Sequence, residues 1–340
     1  MNDSLAGKFR AMVRVGHGMR FSLLDRSRTR HGHPETAALH HSVDRAIAAE
    51  GAGYERFWVA EHHAVPGIAS GSPAVLLSAI GARTARIRLG SGGVMLPNHR
   101  PLLVAEQFRM LEALYPGRVD LGVGRSLGFT EPVRHALGRL EADSDSFARE
   151  IAEVRAYLEG AAPLTARPDD AGDVPLFVLA TGSGVDTAAA LGLPVVIGGP
   201  ILDSPDLPAR LAAYRRAFRP HRGGAPEVIV SLDALIADTD EAARELALPE
   251  IWAMARSRST GVFEALEPVA RIRAMTWSAT ETRRMEHGLA TTVAGSAHTV
   301  RRWIEQILER TGAQEILATS STFDREALRA SDVRLADLLH

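Results

Sequence analysis

The residues best suited to chemistry lie in three short blocks in a fixed order. The first is Trp58-Val59-Ala60-Glu61-His62-His63, the second Gly90-Ser91-Gly92-Gly93 followed by 94–99, and the third 117–125, ending in Gly124-Arg125. Each reads as an apolar strand whose C-terminal tip carries reactive side chains or glycine, so the three tips together predict one pocket. Histidine titrates near neutral pH and serves as a general acid or base. Adjacent residues on a strand face opposite ways, so while the chain stays extended His62 and His63 cannot ligate one metal. The spacing also differs from a helical His-Glu-x-x-His zinc site. His62 is then either an acid–base group or a structural histidine bonded across strand tips. Glu61, beside it, is a candidate for the substrate pocket, as is Asp25 at the first strand's tip.

Glycine is poor inside a strand unless the backbone bends or something must approach it closely. Gly92-Gly93 either lets a flat ring lie on the main chain or marks a bulge in the wall. Arg125, flanked by Gly124 and Ser126, can clamp a phosphate through parallel charge-assisted hydrogen bonds, or can pair with Glu131 or Asp120. Thr181-Gly182-Ser183-Gly184 lies between a strand and a helix, where free amides attract anions, or where Ser183 simply caps the helix. A dinucleotide fingerprint is not complete there: Thr187 stands at the third glycine's place, and 194–199 carries no acidic residue. His31, His33, His40 and His41 lack a partner at ligand spacing, and Trp252, Trp277 and Trp303 read as packing residues.

The elements that must hold these tips follow from periodicity. Strands are predicted at 20–24, 54–60, 87–94, 119–123, 176–180, 194–197, 227–236 and 315–318. Helices are predicted at 36–51, 73–84, 101–115, 144–159, 185–191, 207–218, 299–310 and 324–339. Strands each followed by a helix imply a parallel sheet with right-handed crossovers. Their number favours an α/β fold of the (β/α)8 TIM barrel type with insertions, over a doubly wound open sheet. The stretch 246–287 lacks strand signals and predicts a helical insertion late in the chain. Residues 1–18 read as a leader or extended N-terminus, and 19–340 as a single barrel domain.

Composition narrows the function classes. The chain has 340 residues, 46% of them hydrophobic, with 39 Lys plus Arg against 41 Asp plus Glu. That balance favours neither nucleic acid nor an acidic membrane. There is no cysteine, which excludes disulfides, thiolate catalysis and cysteine-ligated metals. No metal site is expected. The absence of a membrane-length apolar run or a secretory leader predicts a cytoplasmic protein.

The order Trp-x-x-Glu-His-His, then Gly-Gly-Val-Met-Leu-Pro, then Gly-Arg-x-Asp-Leu-Gly-x-Gly-Arg resembles the bacterial luciferase-like flavin monooxygenases. The runs 66–70 and 94–99 are similar to the single-chain subgroup that includes antibiotic (polyketide) tailoring oxygenases. The resemblance implies a homodimeric (β/α)8 barrel that binds reduced FMN supplied by a separate flavin reductase. Through a flavin C4a-hydroperoxide and O2 it would hydroxylate or epoxidise a small organic substrate. It assigns His62 to the catalytic position and Gly92-Gly93 to a non-proline cis peptide under the isoalloxazine ring. Arg125, with Leu127 nearby, falls at the phosphate, and Thr181, Gly182 and Ser183 at a second phosphate loop. Two departures stand out. Gly124 replaces the luciferase cysteine, which speaks against light emission, and the 181–184 loop is about one residue short. The phosphate site would follow the fourth and fifth strands rather than the seventh and eighth. The same barrel family also implies an F420-dependent hydride transferase or a non-catalytic flavin-binding protein as alternatives.

Overall fold

The computed structural model describes residues 19–141 and 143–339; the expected leader, 1–18, lies outside them. The chain opens with β1 (Arg20–Asp25), α1 (Thr36–Gly51), β2 (Arg56–Val59), α2 (Pro73–Gly81), β3 (Arg88–Ser91), β4 (Val94–Met95), α3 (Pro101–Leu114) and β5 (Val119–Gly124). It continues through α4 (Glu131–Ala136), α5 (Ser144–Leu158), β6 (Leu176–Ala180), α6 (Gly184–Leu191), β7 (Val195–Gly198), α7 (Leu207–Ala217), β8 (Val228–Leu232) and β9 (Ala234–Ile236). The last part comprises α8 (Asp240–Thr260), α9 (Val269–Ala274), α10 (Ala279–Thr291), β10 (Val293–Gly295), α11 (Ala297–Thr311), β11 (Glu315–Ala318) and α12 (Arg325–Ala336).

The local causes are ordinary. Pro73 and Pro101 open α2 and α3 at a position where no N–H is needed. Ser278 and Glu281 cap α10 reciprocally. Gly192, at φ +66°, closes α6 in the left-handed region.

All barrel pairings are parallel. β1 lies between β11 and β2, the order continues through β8, β7, β6 and β5, and β3 pairs with β5 to close the ring. β3 and β4 are two pieces of one interrupted strand, so the barrel has eight strand positions and is the expected (β/α)8 TIM barrel. Its interior is filled by Leu24, Trp58, Phe177, Val196, Ile229 and Leu317. The larger apolar layer lies between strands and outer helices, with Phe57, Phe108 and Phe147 buried there. Burying each such side chain contributes roughly 1.5–3 kcal/mol. Below the mouth, Arg56 joins Asp120 at 2.7 Å and Glu315 at 3.0 Å, with both carboxylates fully buried. Arg88 also bonds Asp120.

Two strands differ from the sequence reading, and the expected helical insertion is present. The strand expected at 87–94 breaks at Gly92-Gly93, which are joined by a cis peptide bond. The strand expected at 227–236 splits at Asp233, where β8 leaves the barrel and β9 pairs with β10 instead. The helical insertion runs from α8 to α10, and β9 and β10 hold its two ends together as a two-stranded parallel sheet. Among the described residues no helix is long and apolar enough to cross a membrane.

Candidate active site

A cavity of about 650 Å³ opens at the C-terminal ends of β2 to β8. His62, Gly92, Gly93, Arg125, Leu127, Thr181, Gly182 and Ser183 all line it, and so does Glu61. The size falls within the usual range for small-molecule sites.

The floor is set by backbone geometry. From Gly90 to Val94 the chain advances four residues while its partner advances three, from Asp120 to Val123, so the bend is a bulge of one extra residue. A Cβ on Gly93 would stand 2.9 Å from the Gly122 carbonyl oxygen, and one on Gly92 would meet Leu24. The bend therefore requires glycine, and it also presents bare main chain to the cavity. The two readings of this pair open in the sequence are compatible.

The β2 tip is held by Ser70, whose hydroxyl donates to the Ala60 carbonyl at 2.7 Å and whose carbonyl accepts from the His62 amide at 2.9 Å. Glu61 is a bracket. One carboxylate oxygen accepts from His63 Nε2 at 2.5 Å and His99 Nε2 at 2.7 Å, and the other from the Met95 amide at 3.0 Å. Burial alone would push this carboxyl up, but the bonds from His63 and His99 pull it down to about 2. Glu61, His63 and His99 hold ligand-type atoms within 4.8 Å of one another. Their separations from the shared oxygen are those of hydrogen bonds, and they tie the β2 tip to the turn after β4.

His62 is different. Its Nδ1 is buried with no hydrogen-bond partner. Burial, reinforced by the charges of Arg26 and Arg28, depresses its pKa to about 4, so the ring is neutral at pH 7. A neutral imidazole with an unused nitrogen in a cavity can accept or relay a proton.

Arg125 stands at the other end of the cavity. Its Nη1 donates to Ser144 Oγ at 2.6 Å. Among the described residues no carboxylate lies within ion-pair distance of it; Asp120 is taken by Arg56 and Arg88, and Glu131 lies near His135. Arg125 shares this cavity with the loop 181–183 before α6, where Ser183 makes no capping bond. A free cation and uncapped amides lining one cavity suit a phosphate.

Asp25 belongs elsewhere. It is absent from the cavity lining; its carboxylate pairs with Arg45 at 3.1 Å and accepts from Ser42 at 2.9 Å and the Ser27 amide at 2.5 Å. Burial opposes its ionisation, but Arg45 and these bonds keep its pKa low. The site also contains residues the sequence reading did not select: His63 and, bonded to Glu61, His99, together with Gly198, Gly199 and Ser231 on the lining. Gly198-Gly199-Pro200 at the tip of a predicted strand was the available signal for part of this.

An eight-stranded barrel with its polar cavity at the strand C-termini defines a TIM-barrel enzyme. The family model described as luciferase-like monooxygenase matches residues 19–315. A luciferase-like monooxygenase of Escherichia coli (strain K12) is 35% identical over 316 residues, covering 90% of this chain and 93% of that one. The crystal structure of apo-MsnO8 superposes with a TM-score of 0.84 at 32% identity, over 94% of this chain and 98% of the other. An N-acetyl-S-alkylcysteine monooxygenase of Bacillus subtilis (strain 168) is 38% identical over 60% of this chain and 63% of its own. The chain belongs to the luciferase-like monooxygenase family, whose members are oxidoreductases that incorporate oxygen.

Proposed function

We propose that this protein is the oxygenating component of a two-component, FMN-dependent monooxygenase. Reduced FMN would come from a separate flavin reductase, with O2 as co-substrate and a small organic molecule, polyketides being the first class to test, as the acceptor of one oxygen atom by hydroxylation or epoxidation. The observation that carries this reading is the gathering of His62, Gly92-Gly93, Arg125 and the 181–183 loop on one cavity.

The residues fit the cofactor by three features. Gly93 has no room for a Cβ against the Gly122 carbonyl and so keeps bare main chain at the cavity, His62 Nδ1 is orphaned, and Arg125 has no carboxylate partner among the described residues. Arg125 and the amides of Gly182 and Ser183 would hold the phosphate, and the Leu127 backbone would lie beside it. The Gly92-Gly93 main chain would support the ring. Bound reduced flavin would supply the electrons that activate O2. His62, neutral at working pH, would accept or return a proton at its unpartnered nitrogen, and Glu61 would position the β2 tip that carries it. Phe129, Leu179 and Val196 line the same cavity and would limit water there.

A homodimer is part of the proposal. Val75 on α2 and Leu103, Met110 and Leu114 on α3 are exposed apolar side chains on neighbouring helices, a surface that suits a second copy. We also place the protein in the cytoplasm.

The test is anaerobic titration with reduced FMN and, in parallel, reduced F420, followed by stopped-flow mixing with O2. Saturable FMN binding and a reoxidation course altered by the protein support the reading. Reoxidation identical with and without protein sinks it, and tighter binding of F420 with no oxygen consumption replaces it by hydride transfer.

A further inference from the structure

A second cavity of about 440 Å³ lies beside the first, between the tips of β7, β8 and β11 and the insertion helices α8 and α10. Gly199 and Ser231 line both, so the two meet there. Its floor is ionic but balanced. Arg26 donates to Asp233 Oδ1 and to the Thr319 carbonyl, each at 3.0 Å, and Arg28, behind the lining, donates to Glu250 Oε2 at 2.8 Å. Two guanidiniums against two carboxylates leave no net charge for a charged ligand group to meet.

One acceptor on that floor is held by an ion pair alone. Glu250 is only 7% exposed, and its Oε1 makes no hydrogen bond, although Arg26 Nη2 stands 3.3 Å away. Its second lone pair remains open to a donor from a bound molecule. The wall is apolar: Leu235, Ile251 and Met254 line it. Met254 is 40% exposed while Ala253 and Ala255 on either side are buried. The rim carries two arginines and one exposed carboxylate, Asp203, and so is net cationic. Arg258 and Arg284 line it, and among the described residues neither has a carboxylate within 4.0 Å; Arg284 bonds only the Ala255 carbonyl and Ser259 Oγ.

We propose that this second cavity is the substrate chamber, and that it takes an apolar carboxylate bearing a neutral hydrogen-bond donor toward its reacting end. The carboxylate sits at Arg258 and Arg284, the carbon chain lies along Leu235, Ile251 and Met254, and the donor meets Glu250 close to the junction with the cofactor cavity. The proposal rests on the monooxygenase reading for its catalytic meaning, but the binding it predicts can be measured without catalysis.

The experiment is calorimetric titration of the full chain, with and without FMN, using ω-hydroxyoctanoate, its methyl ester and octanoate. The hydroxy acid should bind saturably, and the ester and octanoate each about tenfold more weakly, as expected for one lost charged or buried hydrogen bond. Met254→Trp, on an exposed helix position, should abolish binding of all three and leave FMN affinity unchanged. Arg258→Gln combined with Arg284→Gln should bring the acid down to the level of the ester and leave the ester alone. No saturable binding of the hydroxy acid at millimolar concentration, native-like binding by the Met254→Trp variant, or equal weakening of acid and ester by the double variant overturns the proposal. Acid binding without FMN binding sinks the cofactor reading and keeps the chamber; FMN binding without acid binding sinks the chamber alone.

Discussion

Replacing Arg125 with alanine isolates the phosphate end of the cavity. The side chain is exposed and its one hydrogen bond is to Ser144 Oγ, so the fold should lose about 0.5 kcal/mol or less. Toward a phosphate it offers two parallel charge-assisted bonds, each contributing roughly 1.5–3 kcal/mol when shielded from solvent. Exposure places the sum near the bottom of that range, about 2 kcal/mol. That corresponds to a rise in Kd for reduced FMN of about 30-fold. The assay is anaerobic titration followed by flavin absorbance, run in parallel with reduced riboflavin, which has the ring and ribityl chain but no phosphate. The variant should bind riboflavin as the native protein does. Arg125→Lys should fall between, since it keeps the charge and loses the fork. An unchanged Kd for FMN, or the same loss for FMN and riboflavin, would refute the assignment of Arg125 to the phosphate.

Further outcomes follow from the same geometry. Because burial depresses the folded pKa of His62 to about 4 from its ordinary 6.5, the unfolded chain binds more protons between those values. Its contribution to stability is therefore complete above pH 6.5 and lost as pH falls toward 4, with a slope of at most about 1.4 kcal/mol per pH unit. His41, also near 4, adds a slope of the same sign. Urea titrations of the flavin-free protein between pH 7 and 5 should show a shallower slope in His62→Asn, and an unchanged one would mean that His62 is not held neutral. The same variant should retain FMN affinity and lose turnover; native turnover would make His62 structural. Asp25→Ala should cost about 3 kcal/mol by leaving Arg45 short of one buried partner, with FMN affinity intact; full stability with impaired substrate binding would return Asp25 to the site. Gly93→Ala, whose Cβ would meet the Gly122 carbonyl at 2.9 Å, should lose roughly 1–3 kcal/mol of stability and weaken FMN binding, as read by denaturation midpoint and flavin titration.

Much of the barrel was legible because fully buried parallel strands read as apolar runs punctuated by polar tips. The 176–180 and 315–318 strands match β6 and β11 end to end. β10 escaped notice because three residues, Val293-Ala294-Gly295, are too few to show a period, and they become a strand only through pairing with β9. α4 was missed for a similar reason, since it has one turn and a half and buries nothing. At the site, residue type and order marked which tips matter. They did not reveal that Glu61 would be consumed by two histidines and an amide, one of those histidines, His99, being 38 positions away. Nor did they show Asp25 facing Arg45 on α1 rather than the mouth. Strand alternation assigns a side chain to a face, whereas the partner it finds there depends on contacts far apart in sequence.

The small sheet of β9 and β10 has a further consequence. Val293 pairs with Ala234 and Gly295 with Ile236, so the long excursion through α8, α9 and α10 leaves and re-enters the barrel at neighbouring backbone positions. Closing a loop costs little more as it lengthens once its ends are fixed side by side. Residues 237–292 thus form an exchangeable cassette: a shorter, longer or differently decorated segment can be spliced between the same two rungs without re-registering β8 or β11. The cavity that gathers His62 and Arg125 draws none of its lining from this cassette. A lineage built on this scaffold can retune what it recognises at one genetic locus, provided it keeps Glu250, the partner of the Arg26 and Arg28 charges that act on His62.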